Sequence, residues 1–231
     1  DQPSRIGRAG LTQALAPMVE TYSLILFDLD GTLSDPLIGI GRSINHALMH
    51  FNFPSLELTE ISQYIGPPMD QTFATITGSS DPALLASLVA KYRERYADIG
   101  YSENTLYEGI PEALTSLGAA GLPLAVCTSK RKDFAERILE MFGLRAHFQF
   151  VNGGDVGVQK WQQIQDLRSK NAIDESSIMV GDRAIDLVAA HRNGLYSAGV
   201  LWGHGRPEEL VNERPQHIFT APSQLAVLAG G

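Results

Sequence analysis

Two acidic residues close an apolar run near the start of the chain. The stretch "LILFDLDGT", residues 24–32, places Asp28 and Asp30 directly after four apolar residues, and Gly31 and Thr32 follow. The apolar run is typical of a buried strand, and an ionised carboxylate at the end of such a strand is costly to desolvate unless another group compensates it. The pattern therefore predicts that both acids have a compensating partner and a chemical role.

Two further apolar runs end in polar residues of the same kind. "LPLAVC" is followed by Thr128 and Ser129, and "SIMV" is followed by Gly181 and Asp182. In open parallel sheets, ligands bind outside the carboxyl ends of the strands. If the three runs are strands of one such sheet, their acids and hydroxyl groups meet at one edge, and we expect a single site there.

The residue types at this edge favour phosphoryl chemistry. Asp28, Asp30 and Asp182 would repel each other if they converged, and a hard divalent cation with oxygen ligands removes that repulsion. Mg²⁺ is the expected ion, because a few carboxylates hold it while it keeps waters and phosphate oxygens. An aspartate can attack phosphorus as a nucleophile, and Thr128 and Ser129 can donate hydrogen bonds to phosphoryl oxygens.

The elements that must position these residues alternate along the chain. Apolar runs predict strands at 22–28, 122–128, 148–151, 177–181, 197–202 and 217–219. Helical patterns predict helices at 111–120, 133–142, 161–171, 186–193 and 223–229. Two of these helices stop at Gly143 and Gly194, which suit a left-handed position after a helix. The alternation predicts an α/β fold, a Rossmann-like parallel sheet with helices on both faces.

One region breaks the alternation, because residues 37–106 show helical patterns and no convincing strand. "IGIGRSINHALMHF" places Ile40, Ile44 and further apolar residues on one stripe. A second helix opens with Asp81 as its N-cap and Pro82 in its first turn. This region is therefore predicted to be a small all-helical cap domain, inserted after the first strand.

The insert sets the predicted domain boundaries. Residues 21–36 and 107–231 form the α/β core, and 37–106 form the cap. Because the insert leaves the core at the edge that carries the acids, we expect it to act as a lid over the site. Residues 1–20 are expected to be an N-terminal leader, with a helix over 11–19.

Four of these sequence elements together resemble the haloacid dehalogenase-like hydrolase superfamily. They are "DLDGT", "CTSK", a downstream lysine and "GDRAID", and the resemblance covers about residues 20–228. The stretches "YEGIPEALTSLGAAGLPLAVCTSK" and "GDRAIDLVAAHRNGLYSAGVLWGHGRPEEL" are similar to its phosphoglycolate phosphatase-like branch. The resemblance implies a Mg²⁺-dependent reaction through an aspartyl-phosphate.

The resemblance also implies a role for each acid. Asp28 would be the nucleophile. Asp30 would protonate the leaving group and then activate water, while its main-chain carbonyl faces the metal. The implied metal residues are thus Asp28, Asp30 and Asp182. Asp186 would orient a metal-bound water or the lysine, and Thr32 would tie the nucleophile loop together.

The phosphoryl group needs donors and a positive charge. The resemblance implies that Thr128, with the backbone of Ser129, binds phosphoryl oxygens. Lys160 is the candidate for the lysine, because it is the one lysine or arginine between Arg145 and Arg168. The usual flanking prolines are missing there, which leaves the shape of this loop open.

The presence of Asp30 helps to predict which class of reaction the protein catalyses. Dehalogenases and phosphonate hydrolases of the superfamily lack an aspartate at this position, whereas a phosphate ester benefits from a general acid. The prediction is a phosphatase acting on a small phosphorylated metabolite, with phosphoglycolate as first candidate. A 5'-nucleotidase acting on nucleoside monophosphates, a sugar phosphomutase and a catalytically idle binding protein are the alternatives.

Residues of the cap would read the leaving group. "YIGPPMDQTF" occupies the place of a specificity loop in this branch, so Gly66 and Met69 are candidate substrate contacts, although a plain turn between helices gives the same pattern. Arg42, Arg93 and Arg95 could steer a second anionic group of the substrate. Exposure on an amphipathic helix is the alternative for each arginine.

The amino-acid composition argues against several classes of binding partner. The net charge of −8, from 18 basic and 26 acidic residues, argues against a nucleic-acid surface and a polybasic membrane patch. No apolar run reaches the length of a membrane span. The single cysteine, Cys127, excludes an internal disulfide and is expected in the core, which fits a cytoplasmic protein. We expect a small phosphate ester as the partner, and a monomer or homodimer.

Overall fold

The sheet at the centre of the fold has the predicted parallel arrangement. The computed structural model describes residues 21–230, so the predicted leader and its helix lie outside the described residues. Six strands form this sheet: β1 Ile25–Phe27, β4 Leu124–Arg131, β5 Val151–Gly154, β6 Ile178–Gly181, β7 Tyr196–Val200 and β8 His217–Phe219. Their order is β5-β4-β1-β6-β7-β8, and every pairing is parallel. The prediction of an α/β fold is confirmed.

The first strand lies in the middle of this sheet because all of its residues are apolar. Ile25 is paired with Leu124 on one side and with Ile178 on the other. Side chains of successive residues point to opposite faces, so Ile25 and Phe27 enter one apolar cluster while Leu26 enters another. Asp28 therefore emerges from the sheet centre, flanked by two other strand ends.

Helices cover both faces of the sheet, as the alternating pattern predicts. The core helices are α5 Ile110–Ala119, α6 Lys132–Met141, α7 Lys160–Ser169, α8 Ala184–Arg192 and α9 Pro207–Asn212. Leu114 and Ile138 pack on one face of the sheet, and Ile164 and Ala190 pack on the other. Among residues 21–230, no helix combines the length and the apolar character needed to cross a membrane.

The helical region after the first strand builds a hydrophobic cluster of its own. Its helices are α1 Leu37–His50, α2 Leu58–Ile61, α3 Met69–Thr77 and α4 Pro82–Asp98. The predicted stripe of α1 is buried, with Ile40 and Ile44 packed against Leu88 and Tyr96 of α4. Asp81 caps α4 as predicted, because its side chain accepts a hydrogen bond from the backbone N–H of Ala83 at 3.0 Å. Apart from Phe134 of α6, the buried members of this cluster lie within residues 37–106, and the cap boundaries stay a prediction.

Several short elements differ from the expectations. A two-stranded antiparallel sheet joins β2, Ser34–Asp35, to β3, Thr105–Leu106, so the 37–106 region is not entirely helical. The helix α9 was not expected, and the predicted helix at 223–229 is a 3-10 helix, Pro222–Ala229. Two-residue strands and six-residue helices are too short for an apolar periodicity to develop, so the sequence pattern does not reveal them.

Candidate active site

The strand ends bring the predicted residues to one edge of the sheet. Asp28 follows β1, Thr128 and Ser129 lie in the last part of β4, and Asp182 follows β6. Because β1 lies between β4 and β6, these ends are neighbours. The first residue of α7, Lys160, approaches from the same edge. One site therefore unites groups that are far apart in the chain.

Three buried carboxylates gather beside the end of β1. Oxygen atoms of Asp28, Asp182 and Asp186 all lie within 4.8 Å of one another. The sequence predicts Asp30 as the third carboxylate, but its side chain lies outside this group and pairs with Lys130 instead. The α8 helix begins at Ala184, so its first turn carries Asp186 back toward the sheet. A metal contact through the main-chain carbonyl of Asp30 stays a prediction.

The ammonium group of a buried lysine contacts two of these carboxylates. The Nζ atom of Lys160 lies 2.9 Å from Oδ1 of Asp28 and 2.6 Å from Oδ1 of Asp186. The lysine is 3% exposed, so its charge acts without much screening by water. Burial opposes the charge, but the carboxylates of Asp186 and Asp28 outweigh it and raise the pKa of Lys160. Lys160 therefore stays protonated and holds Asp28 in place.

Burial and mutual repulsion make the acids reluctant to ionise without a further cation. Burial, and then the nearby charge of Asp186, raise the pKa of Asp28 to about 7. Burial and the same neighbour also raise the pKa of Asp182 well above its usual value. Three carboxylates face one lysine ammonium, and the donor atoms are all oxygen. This donor set fits a hard divalent cation such as Mg²⁺.

A glycine-containing loop packs against the Asp182 carboxyl group. The backbone N–H of His204 donates to its Oδ2 at 2.8 Å, and the Thr32 hydroxyl donates to its Oδ1 at 3.4 Å. A side chain at Gly31 or Gly203 would collide with the Asp182 carboxyl group. The sequence analysis did not single out the "WGHG" loop, because nothing in its residue types shows that it folds over Asp182.

Two buried polar atoms near Asp28 have no partner among the described residues. They are the hydroxyl oxygen of Ser129 and the Oδ1 atom of Asp30. Both residues line the same pocket as Asp28 and Thr128. Buried polar atoms are normally hydrogen-bonded, so their position beside the acids indicates that a polar ligand completes them. A phosphoryl group, with its several oxygen atoms, has the required chemistry.

A second lysine, which the sequence analysis missed, contacts the other acid. The Nζ atom of Lys130 lies 3.0 Å from Oδ2 of Asp30 and donates to the hydroxyl of Tyr96 at 2.7 Å. It also lies 4.4 Å from the centre of the Tyr96 ring. Since Tyr96 belongs to α4 of the cap, Lys130 joins the site to the cap. Its place in "CTSK" was visible, but not the side chain that it meets.

The pocket over the site is closed by one segment of the cap. All residues from Tyr64 to Met69 line it, and we call this segment the cap wall. Both predicted cap contacts, Gly66 and Met69, belong to it. Further walls come from aromatic side chains of α4 and α6, Tyr92 and Phe134 among them. The core thus supplies the charged floor of the pocket, and the cap supplies a largely apolar roof.

The three cap arginines considered for substrate steering are already paired. Arg42 and Arg95 both bind Glu103 inside the cap and do not line the pocket. Arg93 lines the pocket, and its guanidinium lies 2.7 Å from Oδ1 of Asp155 in the core. Arg93 therefore remains a candidate contact for a substrate, whereas Arg42 and Arg95 stabilise the base of the cap.

The comparisons with known proteins agree with this geometry. Residues 25–200 match the haloacid dehalogenase-like hydrolase family. The chain belongs to this family. It is 38% identical to the 5'-nucleotidase of Pseudomonas aeruginosa, over 85% of this chain and 90% of that protein. A crystal structure of a predicted phosphatase from Clostridium acetobutylicum superposes with a TM-score of 0.84 and 33% identity, covering 89% of this chain and 96% of that one.

Two other relatives of this haloacid dehalogenase-like hydrolase have different names. The phosphoglycolate phosphatase of Vibrio cholerae is 29% identical over 87% of this chain and 93% of that protein. The tyrosine-protein kinase PtkA of Mycobacterium tuberculosis is 36% identical over 82% of this chain, which spans 65% of that protein. The family and the phosphatase relatives identify the present protein as a phosphatase.

Binding of Mg²⁺ to the acidic cluster should be visible as a change in thermal stability. Adding millimolar Mg²⁺ to the metal-free protein should raise its Tm by several degrees, because an ion that binds the folded state stabilises it. Asp182→Asn should abolish this response. In excess chelator the same variant should melt above the wild type, because it removes one buried charge. Differential scanning fluorimetry measures both effects, and an undiminished Mg²⁺ response in the variant would contradict the assignment.

The raised pKa of Asp28 predicts how stability depends on pH in excess chelator. The folded value of about 7 exceeds the ordinary 3.8, so the stabilising proton is fully present below pH 3.8 and is lost as the pH rises to about 7. The free energy of unfolding should fall over this range by up to roughly 1.4 kcal/mol per pH unit. Urea unfolding at several pH values measures it. Asp28→Asn should show a shallower slope, and equal slopes would refute the assignment.

Proposed function

We propose that this phosphatase is a Mg²⁺-dependent phosphomonoesterase that forms an aspartyl-phosphate, an acyl phosphate, on Asp28 during each turnover. The observation that carries the proposal is the contact of Lys160 with Asp28 at the floor of a capped pocket, 2.9 Å from Nζ to Oδ1. The lysine fixes the carboxylate of Asp28 at the point where a phosphate ester from the pocket would meet it.

The proposed roles begin with binding of the phosphoryl group. The Thr128 and Ser129 hydroxyls would donate to its oxygens, and Ser129 has a buried hydroxyl oxygen without a partner among the described residues. The ammonium of Lys160 would neutralise part of the developing charge. Mg²⁺ held by Asp28, Asp182 and Asp186 would add positive charge at the same oxygens. Together these groups would hold phosphorus in line with the carboxylate of Asp28.

Attack and protonation are assigned to the two acids of the first motif. The Oδ1 atom of Asp28 accepts hydrogen bonds from the backbone N–H of Leu29 and from Lys160, so we assign the attack to Oδ2. A bond forms between Oδ2 and phosphorus, and the bond from phosphorus to the leaving oxygen breaks. Asp30 gives its proton to that oxygen, and the alcohol leaves.

Water completes the cycle. The ionised Asp30 takes a proton from a water molecule, whose oxygen attacks phosphorus and releases inorganic phosphate, which restores the Asp28 carboxylate. The buried Oδ1 atom of Asp30 has no partner among residues 21–230, so it is available to exchange this proton. Its other oxygen contacts Lys130. Lys130 thus keeps the Asp30 side chain oriented toward the leaving group in both half-reactions.

The pocket wall favours a nucleoside monophosphate as the substrate. Aromatic side chains of Tyr64, Tyr92, Tyr96 and Phe134 line the pocket beside the apolar cap wall. A nucleobase offers a flat surface of the kind that aromatic rings pack against, whereas glycolate offers almost none. The 38% identity to a 5'-nucleotidase points in the same direction. We therefore put nucleotides ahead of the first candidate that the sequence analysis chose.

A 2-phosphoglycolate phosphatase is the second candidate. The cations Arg93, Lys130 and Arg131 line the pocket and could bind the carboxylate of glycolate. Each of them is, however, already paired with an aspartate of this chain. Phosphoglycolate would therefore have to displace one of these pairs. The cytoplasmic location and the monomeric or homodimeric state stay predictions under either candidate.

Transfer to an acceptor other than water is a third possibility that the test must include. A sugar phosphomutase would return the phosphoryl group to a sugar, and the name of the PtkA relative points to a protein tyrosine as acceptor. The phosphatase proposal predicts that inorganic phosphate is the main product with every substrate that reacts. Isomerised hexose phosphate, or phosphotyrosine formed from ATP, would contradict it.

Loss of the nucleophile should remove turnover. Asp28→Asn should lower kcat for p-nitrophenyl phosphate by roughly a thousandfold or more, because the neutral amide of asparagine is a far weaker nucleophile than the carboxylate. Asp166→Asn, at an exposed acid of α7 that pairs with Lys170, serves as the matched control and should keep full activity. Acid quenching during turnover of ³²P-labelled substrate should leave label on the wild-type protein and none on Asp28→Asn. Full activity in excess chelator would refute the proposal.

The leaving group can be identified by competing substrates. The ratio kcat/KM should be higher for AMP or UMP than for 2-phosphoglycolate, and Tyr64→Leu should lower the nucleotide value by several-fold while phosphoglycolate hydrolysis stays unchanged. Tyr101→Leu provides the control, because Tyr101 packs under Arg137 and does not line the pocket. A higher kcat/KM for phosphoglycolate, unaffected by Tyr64→Leu, would select the second candidate.

A further inference from the structure

One core arginine contacts the cap wall from outside the pocket. Arg183 follows Asp182 directly and precedes α8, and its side chain is 16% exposed. Its Nη1 atom donates to the backbone carbonyl oxygen of Ile65, and to that of Gln63 at 3.2 Å. These carbonyl groups lie at the entrance to the cap wall, so a residue next to the acidic cluster holds the segment that roofs the substrate.

Arg183 is itself held in a fixed orientation. Its Nε atom donates to Oε1 of Glu209 in α9 at 2.8 Å, and the same oxygen accepts a bond from the backbone N–H of Ala184 at 3.2 Å. The backbone N–H of Arg183 donates to Oδ2 of Asp186 at 3.1 Å. A guanidinium is planar and presents its donors in a rigid fork. The orientation that Glu209 imposes on Nε therefore determines where Nη1 meets the cap.

The cap wall is shaped to fit over this arginine. The carbonyl groups of Gln63 and Ile65 lie at the C-terminal end of the short 3-10 helix Ser62–Tyr64, and the last carbonyl groups of a helix lack partners within the helix. Gly66 has a φ of +121°, and a Cβ atom there would lie 3.0 Å from Cγ of Arg183. A side chain at this position would thus be strained and would press on the stem of the arginine. The contact explains why the wall has glycine where it crosses Arg183.

We propose that Arg183 is a positioning residue for leaving-group selection. By binding the carbonyl groups of Gln63 and Ile65, it fixes the distance between the cap wall and the floor of the pocket, and this distance determines how the leaving group fits. The inference rests on the proposed phosphatase reaction only in its kinetic consequence. It distinguishes Arg183 from Arg137, which also joins the core to the cap but binds the carbonyl oxygen of Ala97 at 3.2 Å, away from the pocket.

The kinetic test compares leaving groups of different size. For Arg183→Met, kcat/KM for p-nitrophenyl phosphate should fall about tenfold, because charged hydrogen bonds of this kind contribute on that order. Hydrolysis of acetyl phosphate, whose small leaving group does not need the wall, should change by no more than about twofold. Arg137→Met should not show this split. Equal losses with both substrates, or no loss with either, would overturn the proposal.

A second measurement tests the same contact without any turnover. Hydrogen exchange followed by mass spectrometry should show faster exchange of the amides of residues 62–66 in Arg183→Met, and unchanged exchange there in Arg137→Met. Unchanged exchange in Arg183→Met would overturn the proposal. Because this readout needs no substrate, it separates a failure of the inference from a failure of the proposed reaction, in which the wild type itself would hydrolyse neither phosphate compound.

A conservative variant guards against loss of the fold. Arg183→Lys keeps the positive charge but cannot reach Glu209 and both carbonyl oxygens with one planar group. It should fold with a Tm near that of the wild type, and its kcat/KM should fall for p-nitrophenyl phosphate more than for acetyl phosphate, by a smaller factor than in Arg183→Met. If Arg183→Lys matched the wild type in both exchange and kinetics, charge alone would account for the residue and the positioning role would be refuted.

Discussion

The crowding of negative charge at the end of one buried strand is the constraint on which the site depends. Asp28, Asp182 and Asp186 lie within 4.8 Å of one another, and such a group is stable only where cations and donors surround it. Lys160 supplies a charge from α7, and the loop that contains His204 supplies a backbone N–H. A parallel sheet makes this possible because its carboxyl edge brings distant parts of the chain together. The raised pKa of Asp28 reflects the excess of negative charge that remains at the site, which a divalent cation would neutralise.

The site divides its two tasks between two sources of structure. Groups that would act on phosphorus come from strand ends and helix starts of the sheet domain, whereas groups that would face the leaving alcohol come from the cap wall and α4. The contacts of Lys130 with Tyr96 and of Arg183 with Ile65 join the sheet domain to the cap. The proposed reacting centre thus lies at the edge of the central sheet, whereas the leaving group of a substrate would meet helices and turns outside that sheet.

Sequence patterns predict the sheet and part of the site for physical reasons. Strands such as β6 are apolar throughout, and Gly143 and Gly194 take the left-handed conformation that stops a helix. Lys160 was found by elimination, since no other lysine or arginine lies near it in the sequence. The predicted contact of Asp186 with the lysine agrees with the structure. Lys130 was missed, because its contacts with Asp30 and Tyr96 are set by tertiary packing. Pairing of two-residue strands leaves no periodic pattern, so β2 and β3 were also missed.

The short antiparallel pair of β2 and β3 has a consequence for the modular construction of this molecule. Ser34 is opposite Leu106 and Asp35 is opposite Thr105, so the chain leaves the sheet domain and returns to it at adjacent points. The residues between these points form an insertion whose two ends are held together by backbone hydrogen bonds. A different domain inserted at the same two points would begin and end at neighbouring residues of paired strands. The sheet domain could therefore accept a different substrate-recognition domain without a change in its own structure.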